Sequence, residues 1–557
     1  MMSLKISLNN QPVRCASQQH LRWLVAMFIA LWLAGCASLP ANVDRPISTA
    51  LTTPAQTPLG QLTQSRRATA AVRNDSGFGL LSGVEVAYGA RLALIEAAQR
   101  TLDLQYYAIH ADSSTERLLE RLRAAARRGV RVRILLDDFN TVGRDVQVLR
   151  LAYEPNIQIR LFNPLPGSRS SLFGRIIGSL DEIPRIQQRM HNKLFIADNA
   201  WGITGGRNLG NSYFGQDEGS NFVDLDVLAA GRIVADMSAS FDRYWNNELA
   251  YPVQTLLSRD DLDALNKPAL AASAAGEPTG ATPVPTQPGT STSVIPDGTP
   301  TVALANATID LRRTTLTWAP STLLVDKPGK IGPDEDEVDA QDTLVDGLLQ
   351  LMGQAKQEVF VVSPYFVPGR PMMKVFTDLR ARGVKIRVLT NSLASNDAPA
   401  AHAGYARYRR ELLGLGIELH ELRSENSGQL NALGSSGSSG SGGGSIAGSR
   451  ASLHAKAVVI DGRLIVIGSM NLDLRSQIQN TEVALLIRSV PISREAIRQI
   501  EATMSADAYR VELSNNELIW RAPPGAGFKD SSVEPDSSAK LRLLIQLISP
   551  FAPDEML

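Results

Sequence analysis

Cysteine is nearly absent from this chain of 557 residues: Cys15 and Cys36 are the two, both before position 40. They cannot supply a disulfide framework or a cysteine-based metal centre. Histidine is scarce too, at six residues, and His20 precedes the globular part. No H-E-x-x-H helix or comparable ligand cluster occurs, so neither a metal nor any other cofactor is expected. Net charge is missing, since 56 Lys and Arg meet 56 Asp and Glu. Nucleic-acid binders ordinarily carry a basic excess or stripe, so no nucleic-acid partner is expected. What is present is an ordinary globular composition, 44% hydrophobic and 20% charged. The chain is too long for one core, and two domains with additions is the natural expectation.

The apolar run Trp23–Leu33 is too short for a comfortable bilayer span, which takes about 20 residues. Arg14, His20 and Arg22 precede it, and Leu33-Ala34-Gly35-Cys36 closes it, so it reads as a secretory signal. The terminal L-A-G-C resembles a bacterial lipoprotein box, which implies cleavage after residue 35 and lipidation of Cys36. An uncleaved anchor is the alternative. Ala37-Ser38 lacks the aspartate of inner-membrane retention, so the resemblance implies the periplasmic face of the outer membrane. Loss of residues 1–35 removes Lys5, Arg14 and Arg22 and no acidic residue.

Residues 36–75, rich in Pro, Thr and Ala, read as a membrane tether. Residues 76–267 then form a first unit. Leu92, Ile95 and Ala98 have helical spacing, Thr101–Ile109 reads as a strand, and Leu118, Leu119, Leu122, Ala125 and Ala126 share one helical face. Arg128-Gly129 closes that helix before a strand at Val130–Leu136. Strand, helix, strand is a βαβ unit and implies a parallel or mixed sheet. After a low-complexity linker, 268–303, the order returns within 304–557: strand Glu358–Val362, helix Lys374–Arg380, and Arg382-Gly383-Val384 opening a strand. Two homologous α/β halves are the economical reading. The acidic run 334–337 and the Gly/Ser loop 434–445 read as flexible. The loop is either a flap over the site or a tolerated surface insertion.

Each half carries H-x-K-x(4)-D-x(6)-G-x-x-N: His191, Lys193, Asp198, Gly205 and Asn208, then His454, Lys456, Asp461, Gly468 and Asn471. In a strand, His and Lys two apart project from one face. Asp198 and Asp461 are members of the catalytic motif, but seven residues from the histidine is the opposite face. Asp461-Gly462 and, more weakly, Asp198-Asn199 are hairpin-turn signals, so both aspartates read as architectural. Two such clusters face to face would pair imidazoles among cations and amides. That suits displacement at phosphorus, one imidazole attacking and the other protonating the leaving oxygen. Lys193, Lys456, Asn208 and Asn471 would stabilise charge on the phosphoryl oxygens.

The two segments resemble the duplicated HKD motifs of the phospholipase D superfamily, and most closely the bacterial cardiolipin synthases of the C type. The likeness includes Thr101–Asp112, Arg128–Thr141, Val361–Gly369, His402–Leu412 and Gly468–Glu482. It implies two phospholipase D-like α/β halves, with central mixed sheets around one shared active site. It also implies a phosphatidyl enzyme linked through phosphohistidine. Carried across, His191 is the nucleophile and His454 the general acid and then base, with the reverse also open. Glu482 resembles the carboxylate that orients a catalytic imidazole. Asp224 is its counterpart in the first half, with Asp226 the rival. Ser469 occupies a phosphate-contacting position where the first motif has Gly206, as members of the C type also do.

Further candidates divide between site and scaffold. Tyr106, Tyr107, Tyr365 and Phe366 occupy matching strand ends and either line a lipid pocket or belong to the core. His402 shares a helical face with Tyr405 and Arg409 and is a candidate head-group contact. Arg207 and Arg475 flank the motif asparagines and are candidates for lipid phosphates. His110 and His420 read as structural, and Leu541–Ile548 as a segment docked on the domain or touching the membrane. The expected reaction moves a phosphatidyl group from phosphatidylethanolamine or phosphatidylglycerol to phosphatidylglycerol. Hydrolysis on the same site is the alternative, ahead of a nuclease or a non-catalytic envelope lipoprotein. A helper protein would leave no mark in the sequence.

Overall fold

The computed structural model describes residues 39–166, 183–217, 219–257, 261–262, 304, 307–331, 343–424 and 450–549. The leader with Cys36, the linker 268–303, the acidic run 334–337 and the Gly/Ser loop 434–445 lie outside them. Two nine-stranded mixed sheets organise the chain. From edge to edge the first runs Ala250–Pro252, Ile157–Phe162, Arg131–Asp137, Thr101–Tyr106, Leu194–Ala197, Trp201–Gly205, Asp226–Gly231, Ser76–Leu81 and Thr317–Trp318. The second runs Ser321–Val325, Val483–Arg488, Leu464–Gly468, Ala457–Ile460, Glu358–Val362, Lys385–Asn391, Glu418–Leu422, Ala508–Ser514 and Glu517–Arg521. Their centres repeat the same pairing: a parallel βαβ pair, an antiparallel neighbour, then a hairpin.

The repeated R-G-V signal has a local cause in both halves. The helix Ser113–Arg127 starts on the Asp112 cap and buries Leu118, Leu119, Leu122, Ala125 and Ala126. It ends where Gly129 turns left-handed and Val130 N–H reaches back to the Ala125 carbonyl, 3.1 Å away. The helix Gly369–Ala381 ends in the same way, with Gly383 left-handed and Val384 N–H on the Leu379 carbonyl at 3.0 Å. Glycine avoids the Cβ clash that this closure imposes on other residues.

Each sheet has an outer core beneath its own helices and an inner core shared with the other sheet. The shared core joins Leu194, Ile196, Val227 and Ala229 to Val459, Ile467, Val483 and Leu485, flanked by the helices Arg232–Trp245 and Val490–Asp507. Buried area of this kind favours association by about 25 cal/mol per Å² of apolar surface. The halves are therefore packed as one body.

Two boundaries differ from the sequence reading. Residues 304 and 307–319, assigned by sequence to the second half, pack on the first: Leu304, Ala307 and Leu311 enter its outer core and Thr317–Trp318 adds an edge strand. Nor is the segment up to 75 simply a tether. The Ser48 and Thr49 carbonyls accept from Arg133 and Arg131, the Leu51 carbonyl accepts from Asn199, and Pro58–Ala68 forms a helix that buries Leu59. Pro at the start of that helix and the Thr57 cap account for it.

The motif aspartates are architectural. Asp198 and Asn199, like Asp461 and Gly462, take positive φ in the hairpin turn that follows the His-Lys segment. Asp198 accepts from the Gln99, Arg100 and Thr101 N–H groups, and Asp461 from those of Lys356, Gln357 and Glu358. Each carboxylate thus ties its hairpin to the start of the neighbouring strand. Asp198→Ala should leave the buried Thr101 N–H without its acceptor, at about 1–3 kcal/mol, and release two part-buried donors beside it. The expected outcome is a lower thermal midpoint with unchanged activity per folded molecule; an unchanged midpoint would contradict this role.

Candidate active site

The site forms where two short parallel strand pairs stitch the halves together. Arg189–Met190 pairs with Asn480–Thr481, and Ser220–Val223 with Arg450–Leu453. His191 N–H donates to the Thr481 carbonyl at 2.9 Å, and His454 N–H to the Val223 carbonyl at 2.8 Å. The next residue on each partner strand is a carboxylate. His191 Nδ1 lies 3.0 Å from both Glu482 oxygens, and His454 Nδ1 lies 2.6 Å from Asp224 Oδ2. The pairs therefore cross: each half's carboxylate holds the other half's imidazole. Glu482 lies in the second half, and the strand pairing brings it to His191 of the first. Asp224 is the histidine partner, and its rival Asp226 instead pairs with Arg91 and Arg207.

With Nδ1 directed at a carboxylate, the lone pair of each neutral imidazole is left on Nε2. Lys193 Nζ donates to the His191 carbonyl at 2.9 Å, and Lys456 Nζ to the His454 carbonyl at 2.7 Å. The His-Lys segments lie in connections just ahead of Leu194–Ala197 and Ala457–Ile460, not within strands. Tyr107 stands edge-on to His191 with ring centroids 5.2 Å apart, and Tyr213 edge-on to His454 at 5.3 Å.

Burial and mutual repulsion tune the cluster. Burial, with Lys193, Lys456, His454 and Arg475 nearby, drives His191 well below an ordinary histidine. His454 is lowered less, by burial and Lys456 against the pull of Asp224. Burial lowers Lys193 to about 7 and raises Glu482 to about 7. Burial would also raise Asp224, but His454, Arg207 and Lys456 outweigh it and hold the carboxylate low and ionised.

The difference between Gly206 and Ser469 follows from these carboxylates. A Cβ on Gly206 would stand 2.2 Å from Asp224 Oδ1. In the second half Ser469 donates its hydroxyl to Glu482, as does Ser476 at 2.8 Å. Aspartate beside glycine and glutamate beside serine are thus two ways of filling the same corner. Ser469 supports the carboxylate, where the resemblance implied a contact to phosphate.

Other candidates separate clearly. Arg207 is buried, pairs with Asp226 and donates to the Leu81, Ser82 and Asp224 carbonyls, so it is scaffold. His402 is fully buried between Arg409 and Glu534. Tyr106 sits against Arg91, and Phe366 packs on Phe376 and Tyr405; both are core. Tyr365 donates to Asp397 at 2.8 Å on the rim. Asn208 is engaged by the Ala108 N–H and the Tyr213 hydroxyl, whereas the Asn471 amide oxygen is buried without a partner among the described residues. Arg475 is half-buried near His191 and Tyr107, and it has no carboxylate ion pair among the described residues. His110 has a partner after all, Asp145 at 2.8 Å.

Three supporting residues escaped the sequence reading. Asp137 accepts from the Met190 N–H, immediately before His191. Asn391 brackets the Leu453 backbone, immediately before His454. Both end the strand that follows the R-G-V signal, and that matching position was the available clue. Asp326 accepts from the Glu482 N–H and from Lys330, with no local pattern to announce it.

A family model described as "Cardiolipin synthase, PLD-like domain" matches residues 92–245 and 348–504. The chain is 38% identical over 457 residues to cardiolipin synthase C of Escherichia coli (strain K12), covering 79% of this chain and 90% of that one. It is 30% identical over 519 residues to an uncharacterized protein of Helicobacter pylori (strain ATCC 700392 / 26695), covering 92% and 95%. The crystal structure of phosphatidylserine synthase from Haemophilus influenzae Rd KW20 superposes with a TM-score of 0.52 at 14% identity, over 89% of this chain and 100% of that one. That likeness concerns the fold.

Gly206→Ala tests the crossed geometry. It should displace Asp224, misplace His454 and lower turnover per folded molecule by about 100-fold, and the disturbed buried carboxylate should also lower the thermal midpoint. Undiminished turnover would contradict the coupling of Gly206 to Asp224.

Proposed function

The chain belongs to the cardiolipin synthase family of phospholipase D-like proteins, and from that premise we propose that it moves a phosphatidyl group between phospholipids through a phosphohistidine. The observation that carries the reading is the pair of imidazoles, each fixed at Nδ1 by a carboxylate of the other half. His191, the more strongly lowered, stays neutral and attacks phosphorus through Nε2. His454, beside a firmly ionised Asp224, protonates the departing head-group oxygen. The phosphatidyl group is then bonded to His191 and the head-group alcohol is free. In the second step His454 removes the proton of the incoming hydroxyl as its oxygen displaces His191. The hydroxyl of phosphatidylglycerol gives cardiolipin; water gives phosphatidic acid.

Lys193, Lys456, Asn471 and Arg475 supply donors or positive charge for the non-bridging oxygens, the class of interaction that dominates such displacements. Phosphatidylglycerol and phosphatidylethanolamine are the proposed lipids, and a lipidated Cys36 on the periplasmic side of the outer membrane the proposed setting.

Lipid analysis of a cardiolipin-null strain expressing the protein tests the reading. Cardiolipin should appear with the wild type and with neither His191→Ala nor His454→Ala. Phosphatidic acid alone would assign hydrolysis instead, and unchanged lipids with every donor would remove both reactions.

The pH dependence has a definite sign. Glu482 must be ionised and is lost as pH falls through about 7; Lys193 must be charged and is lost as pH rises through about 7. His454 must be protonated for its acid role, and burial holds it below an ordinary histidine, so it is lost as pH rises ahead of Lys193; a narrow bell in kcat/KM with its maximum below pH 7 is therefore expected. Bound phosphodiester raises both, so the alkaline limb of kcat should lie higher than that of kcat/KM. A flat kcat/KM profile from pH 5 to 9 would contradict these roles.

A further inference from the structure

The last described helix, Ala539–Ile548, carries apolar residues on two faces, one packed and one exposed. Ile545 packs with Leu393 and Ala403, and Leu541 lies against the same cluster. On the opposite face Leu543, Leu544 and Leu547 are 57%, 45% and 62% exposed. The helix contains Lys540 and Arg542 and no acidic residue. Neither cation has a carboxylate partner among the described residues; the Arg542 side chain donates to Ser537. Isolated exposed leucines are ordinary, but three at i, i+1 and i+4 make a continuous stripe.

The helix is also held firmly in place. Just before it, Glu534 pairs with Arg409 at 2.8 Å and Asp536 with Arg423 at 3.1 Å, and Ser538 caps its first turn. These bonds fix which face points outward. Its position follows from its contacts: Leu393 and Ala403 flank Asp397, which takes the Tyr365 hydroxyl at the rim of the site. Leu393 also lies two residues beyond Asn391, the residue that brackets the backbone before His454. The helix therefore packs beyond the end of the strand Lys385–Asn391, the end at which Asn391 holds the backbone before His454.

We propose that Leu543, Leu544 and Leu547, with Lys540 and Arg542, form a docking face for a bilayer surface bearing anionic phospholipid head groups. Cations beside a leucine face, on a helix of ten residues, suit a segment that lies in the interface. Among the described residues no helix is long and apolar enough to cross a membrane. This rests on the lipid reading above only for its purpose, which is to bring the rim of the site to the plane where acyl-chain substrates reside.

The test uses the full chain reconstituted in phosphatidylglycerol–phosphatidylethanolamine vesicles, with and without brominated acyl chains. In Leu544→Trp, the emission added over the unaltered chain should shift to the blue on vesicle binding and be quenched by bromine. Added emission that stays water-like, or is blue-shifted without vesicles and unquenched with them, overturns the proposal; the latter would mean the chain or a second copy covers the stripe. A second variant, Leu543→Glu/Leu544→Glu/Leu547→Glu, alters only exposed side chains. Its turnover on vesicles should fall about tenfold, with turnover on a dispersed short-chain phosphatidylglycerol unchanged. An equal fall on both substrates, or on neither, counts against the docking face. Quenching without turnover on either substrate would sink the lipid-transfer reading and leave the docking face standing.

Discussion

The crossed pairing of imidazole and carboxylate is the constraint on which the rest of this structure depends. His191 is oriented by Glu482 and His454 by Asp224, so neither half contains a complete catalytic unit. Each histidine is also tied through its own N–H to the strand that carries the opposing carboxylate. Separating the halves would therefore break two strand pairs, two buried charge contacts and the shared core together. The duplication has become an obligate union.

That union explains features that look incidental in isolation. Buried carboxylates are costly unless paired and hydrogen-bonded. Glu482 meets this requirement with His191, Ser469 and Ser476. Asp224 meets it with His454, its flank kept clear by the missing side chain at Gly206. The two environments leave one carboxylate ionised and the other close to neutrality, and so make two similar histidines unequal. Like groups pushed apart by their surroundings are a recurrent basis for separating an acid from a base.

Much of this was legible in the chain. The R-G-V closures recur because a left-handed glycine leaves a sequence signature, and the motif spacing recurs because a hairpin of fixed length follows each His-Lys pair. The turn role of Asp198 and Asp461 followed from the Asp-Gly and Asp-Asn hairpin signals after each His-Lys pair. The crossing was not legible: His191 and Glu482 are 291 residues apart and His454 and Asp224 are 230 apart, and no local pattern encodes which strand edge meets which. His402 and Arg207 misled for a related reason. A polar residue on a helix face or beside a motif looks the same whether it meets a ligand or a buried counter-charge, and here Glu534 and Asp226 supply the charge. Residues 304 and 307–319 misled because an edge strand of two residues carries no period to read.

The central claim is that the crossed pairs make one site in which His191 attacks and His454 serves the leaving group. The most direct measurement is peptide mass spectrometry after rapid quench of His454→Ala with a phosphatidyl ester of a phenol, whose leaving group needs no protonation. The account predicts one phosphatidyl group per chain, on His191, with one equivalent of phenol released and little further turnover. A phosphatidyl adduct on any other residue, or continued turnover with none on His191, would contradict it.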